Sequence, residues 1–148
     1  MRTHLSAIFI AAIMALPAAW ADDASPVGLW KNIDDVSGKP KALIRISETK
    51  GELQGRIEKL YLAPDVPQDP RCTPCQGVNK DQPVLGMVIL FGLKKDGDAY
   101  SGGQILDPNN GNLYKSKLTV LDGGKQLNVR GYIGMPLLGR SQVWLRQE

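Results

Sequence analysis

Histidine is almost missing from this 148-residue sequence, which contains only His4. Cysteine is scarce too, with Cys72 and Cys75 alone, and aromatic residues make up 6%. A Ser–His or Cys–His nucleophile needs a histidine base, and a structural zinc site needs four nitrogen or sulfur ligands. The composition therefore excludes most histidine-based catalysis and most metal centres, and the sequence predicts no metal and no cofactor.

A large excess of one charge is also lacking, since the sequence contains 18 Lys and Arg and 15 Asp and Glu, for a net charge of +3. Nucleic-acid or anionic-membrane binding usually comes with denser, clustered basic residues. We therefore expect no nucleic-acid partner. The 43% of hydrophobic residues argues against a disordered chain and for one ordinary globular domain.

Only the first residues contain a long apolar run, and it has the pattern of a secretory signal. Arg2 supplies a positive start, residues 5–16 are apolar except for one serine, and Pro17 precedes Ala19-Trp20-Ala21. Twelve or so residues fall short of the roughly twenty that span a bilayer. We predict cleavage after Ala21, which leaves residues 22–148 in the periplasm or secreted, with no further membrane span.

The rest of the sequence alternates between apolar and polar residues, which is typical of β-strands, and Gly, Asp and Asn interrupt the pattern. The predicted strands cover residues 28–32, 41–47, 52–61, 86–94, 99–106, 113–121, 126–133 and 140–146. Short connections make consecutive strands antiparallel neighbours. The predicted fold of residues 22–148 is therefore all-β, a single eight-stranded antiparallel up-and-down barrel, because closure removes exposed edges.

The alternation also assigns a face to each side chain. The apolar sets expected to fill the barrel are Ala42, Ile44 and Ile46; Leu53 and Ile57; Leu118 and Val120; Leu127, Val129 and Ile133; and Val143 and Leu145. Five arginines have the opposite parity, namely Arg45, Arg56, Arg130, Arg140 and Arg146. They form either a solvated outer face or, for some of them, a polar mouth that holds an anion.

The one long connection, residues 62–85, contains five prolines and the Cys72-Thr73-Pro74-Cys75 motif. A redox centre of the thioredoxin type needs a helix after the first cysteine, and zinc needs further ligands. The pattern favours a local disulfide between Cys72 and Cys75 in an oxidising compartment. Such a small ring stabilises the loop more than the fold.

Several motifs together resemble a known family. They are Gly28-x-Trp30, the Cys72/Cys75 loop, the segment 103–108, Gly111-x-x-Tyr114, the segment 130–134, and Trp144-x-Arg146. Over residues 26–147 the chain is similar to a bacterial family of small secreted proteins catalogued as a domain of unknown function. The resemblance implies a lipocalin-like barrel, closed by Gly28, Trp30 and Arg146, with the tryptophan under the guanidinium. It implies no reaction and no catalytic residues.

A barrel of eight strands either fills its interior or holds one small ligand. The first functional hypothesis is therefore the binding of a small, partly apolar molecule, such as a lipid, a fatty acid or an aromatic compound. The candidate ligand-binding residues are Tyr114, Tyr132, Arg140 and Trp144, because aromatic and arginine side chains suit amphipathic ligands. Packing and closing the barrel is the alternative role for each of them.

A second hypothesis is a structural or interaction protein of the cell envelope. Its contact surface would be the loop 62–85, aided by the apolar segment 135–138. An enzyme is the third hypothesis, and it would depend on carboxylates, tyrosine or the cysteine pair. Asp34 and Asp35 lie in a predicted turn and are interpreted as turn formers. Nothing in the sequence specifies an oligomeric state.

Overall fold

The computed structural model describes residues 24–148, so the predicted signal over residues 1–21 lies outside the described part. Eight strands close into a barrel in chain order, each antiparallel to the next. The strands are β1 (Gly28–Ile33), β2 (Pro40–Thr49), β3 (Glu52–Leu60), β4 (Val88–Asp96), β5 (Ala99–Asp107), β6 (Asn112–Leu121), β7 (Gln126–Tyr132) and β8 (Gly139–Arg146). The all-β, eight-stranded barrel prediction is confirmed, and every predicted strand boundary lies within two residues of the observed one.

The seam of the barrel joins the first strand to the last. Trp30 pairs with Arg146 and Asn32 pairs with Trp144 across β1 and β8. Tight turns make most of the other connections, and Lys50 and Gly51 both adopt positive φ in the β2–β3 turn. Such turns match the right-handed twist of the strands they join. Closure leaves no strand of the sheet without two neighbours.

The barrel has two different ends. One end, called the closed end here, has the short β2–β3, β4–β5 and β6–β7 turns, together with the segment 24–27 that leads into β1. The other, called the open end, has the connections 34–39, 61–87, 108–111 and 133–138. Short 3-10 turns occur at Gly77–Asn79, Asp122–Gly124 and Pro136–Leu138. Longer connections thus cluster at the open end, as they commonly do at a binding site.

The core consists of the inward side chains of all eight strands. Ile44, Leu53, Leu93 and Leu118 are each at most 1% exposed, and they meet Trp30 in one continuous apolar cluster. Burial of apolar area contributes about 25 cal/mol per Å², so this cluster is the main source of stability. Apolar residues of β2, β3, β6 and β7 therefore face inward as the alternation predicts.

The predicted parity of β8 is wrong. Val143 and Leu145 are 42% and 38% exposed on the outer face, whereas Trp144 is 1% exposed inside. The indole is larger than either aliphatic side chain, so its burial decides which face of the strand turns inward. As a result Arg140 and Arg146 share the inward parity of Trp144, not the outer face. Ile133 is also outside, at 69% exposure, because β7 ends at Tyr132.

The disulfide is present as predicted, between Cys72 and Cys75, and it is built into the barrel. Both cysteines are at most 1% exposed and belong to the core cluster. The backbone of Cys72 donates to Gln82 O (2.8 Å) and accepts from Asp81 N (3.0 Å), which folds the loop on itself. Gly111 has φ +75°, and a Cβ there would strike the Pro74 carbonyl, so the loop packs tightly on the β5–β6 turn.

Within residues 24–148, no helix has the length and apolar character needed to cross a bilayer.

Candidate ligand-binding site

A cavity of about 290 Å³ lies at the open end and faces solvent. Its lining comes from six strands and from the connections that enter or leave them. The lining residues are Asp34, Lys41, Ile89, Ile105, Leu106, Asp107, Pro108, Asn109, Asn110, Tyr114, Val129, Gly131, Arg140 and Gln142. Small-molecule sites are usually lined by apolar side chains, with a few polar groups that orient the ligand.

The apolar part of the cavity is formed by β4, β5 and β7. Ile89, Leu106 and Val129 are 5%, 3% and 3% exposed and line the cavity. Gly131 lies beside them without a side chain, and Ile105 and Tyr114 approach the space where a Cβ would stand. The glycine therefore widens the cavity at this level.

Arg140 and Asp35 form an ion pair at the rim. Arg140 Nε donates to Asp35 Oδ2 at 2.5 Å, Nη2 donates to Oδ1, and Asp34 Oδ1 lies 3.9 Å from Nη2. The Arg140 hydrogen bond is the main reason that the pKa of Asp35 falls to about 2. Among residues 24–148, the remaining nitrogen, Nη1, has no hydrogen-bond partner, so it is free to donate to a bound molecule.

A chain of hydrogen bonds links this ion pair to the buried tryptophan. Gln142 Nε2 donates to Asp35 Oδ1 (3.2 Å). Gln142 Oε1 accepts from Asn32 Nδ2 (2.7 Å) and from Trp144 Nε1 (3.2 Å). Asn32 is 9% exposed, so burial leaves few other partners for its amide. The network holds one wall of the cavity in a fixed arrangement.

Tyr114, on β6, is the tyrosine that lines the cavity. Its oxygen accepts from Asn110 Nδ2 (3.0 Å) and from Asn112 Nδ2 (3.4 Å), so its own proton is available to a ligand. The turn that brings Asn110 here is stabilised by side-chain acceptors, because Asp107 Oδ1 accepts from Asn109 N (2.9 Å). Asp107 therefore acts as the turn initiator that the sequence indicates.

The four sequence-predicted site residues have three different positions. Tyr114 and Arg140 line the cavity. Trp144 is buried in the core, and its indole Nε1 donates to Gln142 Oε1. Tyr132 does not line the cavity, because it has the parity opposite to Gly131, and it pairs with Lys115 and Gly139.

Sequence reasoning missed Asp35, Gln142 and Asn32. The sequence indicates a turn former at Asp35, whereas in the structure it pairs with Arg140, 105 residues away along the chain. The sequence signal for Gln142 is the period-two pattern of β8, which places Arg140, Gln142 and Trp144 on the same face of the strand. Giving the tryptophan more weight than the two aliphatic residues would have placed Gln142 at the rim.

The residues proposed for barrel closure meet at the closed end. The Arg146 guanidinium lies 4.2 Å from the centre of the Trp30 ring, and Trp30 Nε1 donates to Pro26 O (2.7 Å). Arg146 also donates to the carbonyls of Ser25, Val27 and Gly124, and burial lowers its pKa. At Gly28 (φ +143°) a Cβ would lie 2.6 Å from Arg146 Nη1, so only glycine fits.

No group of three potential metal ligands occurs in the part of the chain that the structure describes.

Comparisons with known proteins support the architecture. The model of a family described as an uncharacterized protein conserved in bacteria, DUF2147, matches residues 28–146. A protein of the human pathogen Helicobacter pylori, described as belonging to the lipocalin family, has a similar structure, with a TM-score of 0.71 at 16% identity. The similarity covers 84% of each chain. No curated protein matches this chain.

Proposed function

This chain belongs to DUF2147, a family of uncharacterized bacterial proteins, and we propose that it binds one small, partly apolar molecule in the cavity at the open end. The observation that carries the proposal is the combination of an apolar floor with a fixed polar rim around about 290 Å³. The lipocalin-like fold supports it, because barrels of eight strands with an unfilled end hold a single small ligand.

The volume limits the size of the ligand. Small-molecule sites usually occupy about 300–1,000 Å³, so this cavity lies at the lower end of that range. A medium-length acyl chain or a single aromatic ring suits it better than an entire long-chain lipid. The expected ligand is therefore smaller than a membrane phospholipid.

The rim defines the head group of the ligand. Arg140 Nη1 and the Tyr114 hydroxyl are both donors. Asp35 already accepts from the other edge of the guanidinium, through Nε and Nη2. A carboxylate, carbonyl or hydroxyl oxygen would accept hydrogen bonds from these two donors. We therefore propose a ligand with an oxygen acceptor at its polar end.

The compartment is proposed to be extracytoplasmic. Support comes from the buried Cys72–Cys75 disulfide, because disulfides persist mainly in oxidising compartments. The predicted signal over residues 1–21 points the same way.

The experiment is isothermal titration calorimetry with three eight-carbon probes, namely octanoate, 1-octanol and octylammonium. They share a chain and differ in the head group. We expect octanoate to bind at one site and octylammonium to bind at least about tenfold more weakly, because it cannot accept from Arg140 or Tyr114. No binding of any of the three would overturn the proposal.

Two tyrosines provide a matched pair of variants. Tyr114→Phe removes a hydroxyl at the cavity rim and should weaken octanoate binding about five- to tenfold. Tyr132→Phe removes a hydroxyl outside the cavity and should leave the affinity unchanged. Equal effects of the two variants would show that octanoate binds elsewhere.

The cell-envelope interaction hypothesis has weaker support. Cys72 and Cys75 of the loop 62–85 belong to the buried core cluster, so this part of the loop is covered and cannot contact a partner. The outer side of the loop exposes Val66, Val78 and Leu85 at 41%, 90% and 55%. A photo-crosslinker at residue 78 that captures one specific envelope protein would support this second function. Failure to capture any protein, in a sample that binds octanoate, would favour the first function.

A further inference from the structure

The connection between β7 and β8 exposes a compact set of large apolar side chains. We call Ile133, Met135, Leu137 and Leu138 the hydrophobic tip, and they are 69%, 60%, 83% and 74% exposed. None of them is needed to fill the core. Single exposed apolar residues are ordinary, but a contiguous group on one projecting loop indicates an interaction site.

The last three strands, β6 to β8, are strongly basic, although the whole chain is nearly neutral. Residues 112–146 contain six basic residues and a single acidic one, Asp122, which lies at the closed end. Three of the basic residues form a group on the outer face of β6 and β7, called the basic flank here. They are Lys115, Lys117 and Arg130.

The register of β6 and β7 places the basic flank just below the tip. Lys115 is opposite Tyr132, the last residue before the tip, and Lys117 is opposite Arg130. Arg130 lies three residues before Ile133, and three residues of an extended strand cover about 10 Å, so all three charges lie within about 10 Å of the start of the tip along the strand. An interfacial segment inserts its apolar part about 5–10 Å into a bilayer, with basic groups at the level of the headgroups.

Arg130 connects the two features. Its guanidinium donates to Pro136 O (2.5 Å), Ser141 Oγ (2.8 Å) and Gly139 O (3.5 Å), so it shapes the base of the tip. Among residues 24–148, no carboxylate forms an ion pair with Arg130, Lys115 or Lys117. The positive charge of the basic flank is therefore uncompensated within the described chain.

From this arrangement we propose that the hydrophobic tip inserts into an anionic phospholipid bilayer, with the basic flank against the headgroups. Complementary charge favours this occupant over a second copy of the chain. A two-fold contact between two tips would bring the basic flanks of both copies together, and like charges at close range repel. A bilayer supplies both the apolar phase and the negative charge.

The inference is independent of the ligand proposed for the cavity. The tip ends at Leu138, two residues before Arg140 at the cavity rim, so the tip and the cavity lie at the same end of the barrel. Docking by the tip turns the open end toward the membrane surface.

The test is co-sedimentation of the purified protein with vesicles of phosphatidylcholine alone or with one third phosphatidylglycerol. We expect binding to the anionic vesicles that decreases as salt is raised. Leu137→Ser/Leu138→Ser should lower the partition coefficient at least about tenfold, because both side chains lie in the tip. Lys115→Gln/Lys117→Gln should lower it about thirtyfold and weaken the salt dependence, since each basic residue near an anionic surface contributes about 1 kcal/mol and two are removed.

Matched controls use equally exposed positions elsewhere. Val78→Ser removes an apolar side chain that is 90% exposed on a different loop, and Lys50→Gln/Lys95→Gln removes two charges at the closed end. Both controls should bind vesicles as the unmodified protein does, and thermal melts should show all variants folded. Equal binding to neutral and anionic vesicles, or wild-type binding by the tip variant, would overturn the proposal. Concentration-dependent dimers that the tip variant abolishes, without vesicle binding, would also overturn it and assign the tip to self-association.

Discussion

The two ends of the barrel use the same residue type for different purposes. Arg146 and Arg140 lie on the same face of β8, one at each end. Arg146 stacks on Trp30 and donates to backbone carbonyls at the closed end. Arg140 is 60% exposed at the open end and pairs with Asp35 beside the cavity. The first arginine holds the chain together, and the second leaves part of its donor capacity for a ligand.

The comparison shows how a small barrel separates stability from binding. At the closed end Trp30 is fully buried and its indole N–H has a backbone partner. At the open end the apolar side chains stop short of filling the interior, and polar residues surround the space that remains. Changes at the closed end should therefore affect unfolding, and changes at the open end should affect binding.

Trp30→Ala should have the largest effect on stability. The substitution empties the centre of the closed end and removes the hydrogen bond to Pro26, so we expect a loss of about 3–5 kcal/mol in the free energy of unfolding. Urea denaturation followed by circular dichroism measures it. A loss below about 1 kcal/mol would contradict the role given to the closed end.

The second prediction compares the two arginines directly. Arg146→Gln should cost about 2–3 kcal/mol, because it removes a cation–π contact and several hydrogen bonds from a charged donor. Arg140→Gln should cost less than about 1 kcal/mol, because its ion pair is largely exposed. Octanoate binding should distinguish the two variants in the other direction, because Arg140→Gln should weaken it and Arg146→Gln should leave it unchanged.

Equal urea midpoints of unfolding for the two arginine variants would contradict the claim that Arg146 stabilises the fold more than Arg140 does. Lysine at each position provides a control for charge alone. Arg146→Lys should recover little of the lost stability, because an ammonium group lacks the planar surface that stacks on Trp30.

Most of the fold could be predicted from the sequence because its determinants are local. Alternation at period two identifies each strand, and Gly-containing turns such as residues 95–98 fix the hairpins. The exception is β8, where Val143 and Leu145 together suggested the wrong face, although burial of Trp144 decides it.

The candidate site could be predicted only in part, because its contacts are long-range. Tyr114 and Arg140 stand out by residue type. The partner of Arg140 is Asp35, on the other side of the seam, and no local pattern connects them. Gln142 acquires its importance only once Asn32 and Trp144 are brought against it.

The third prediction concerns the disulfide, whose loop packs against the β5–β6 turn at the open end. Cys72→Ala/Cys75→Ala should lower the free energy of unfolding by about 2 kcal/mol, because the closed ring is short. Thermal unfolding with and without reductant measures it. A reductant effect on the double variant as large as on the unmodified protein would contradict the assignment.

The smallest expected effect is the pH dependence at the rim. The pKa of Asp35 is lowered to about 2 in the folded protein, mainly by the Arg140 hydrogen bond, from 3.8. Because this pKa is lower in the folded than in the unfolded protein, ionised Asp35 stabilises the folded state. Its contribution to the free energy of unfolding is present above about pH 4 and is lost as the pH falls through about 2. Exposure limits it to less than about 1 kcal/mol.

Asp35→Asn isolates this contribution. Its stability should fall less steeply between pH 4 and pH 2 than that of the unmodified protein, as measured by urea denaturation at each pH. Identical pH profiles would show that the rim ion pair contributes nothing to folding in solution.

The most direct test of the binding account is a nuclear magnetic resonance titration of the protein with octanoate, read at assigned backbone amides. The account predicts shifts at Asn110, Gly131 and Gln142 that saturate together, with Gly51, Gly97 and Gly124 at the closed end unchanged. Shifts confined to the closed end or to the outer face of the sheet would contradict it, as would the absence of any saturable change.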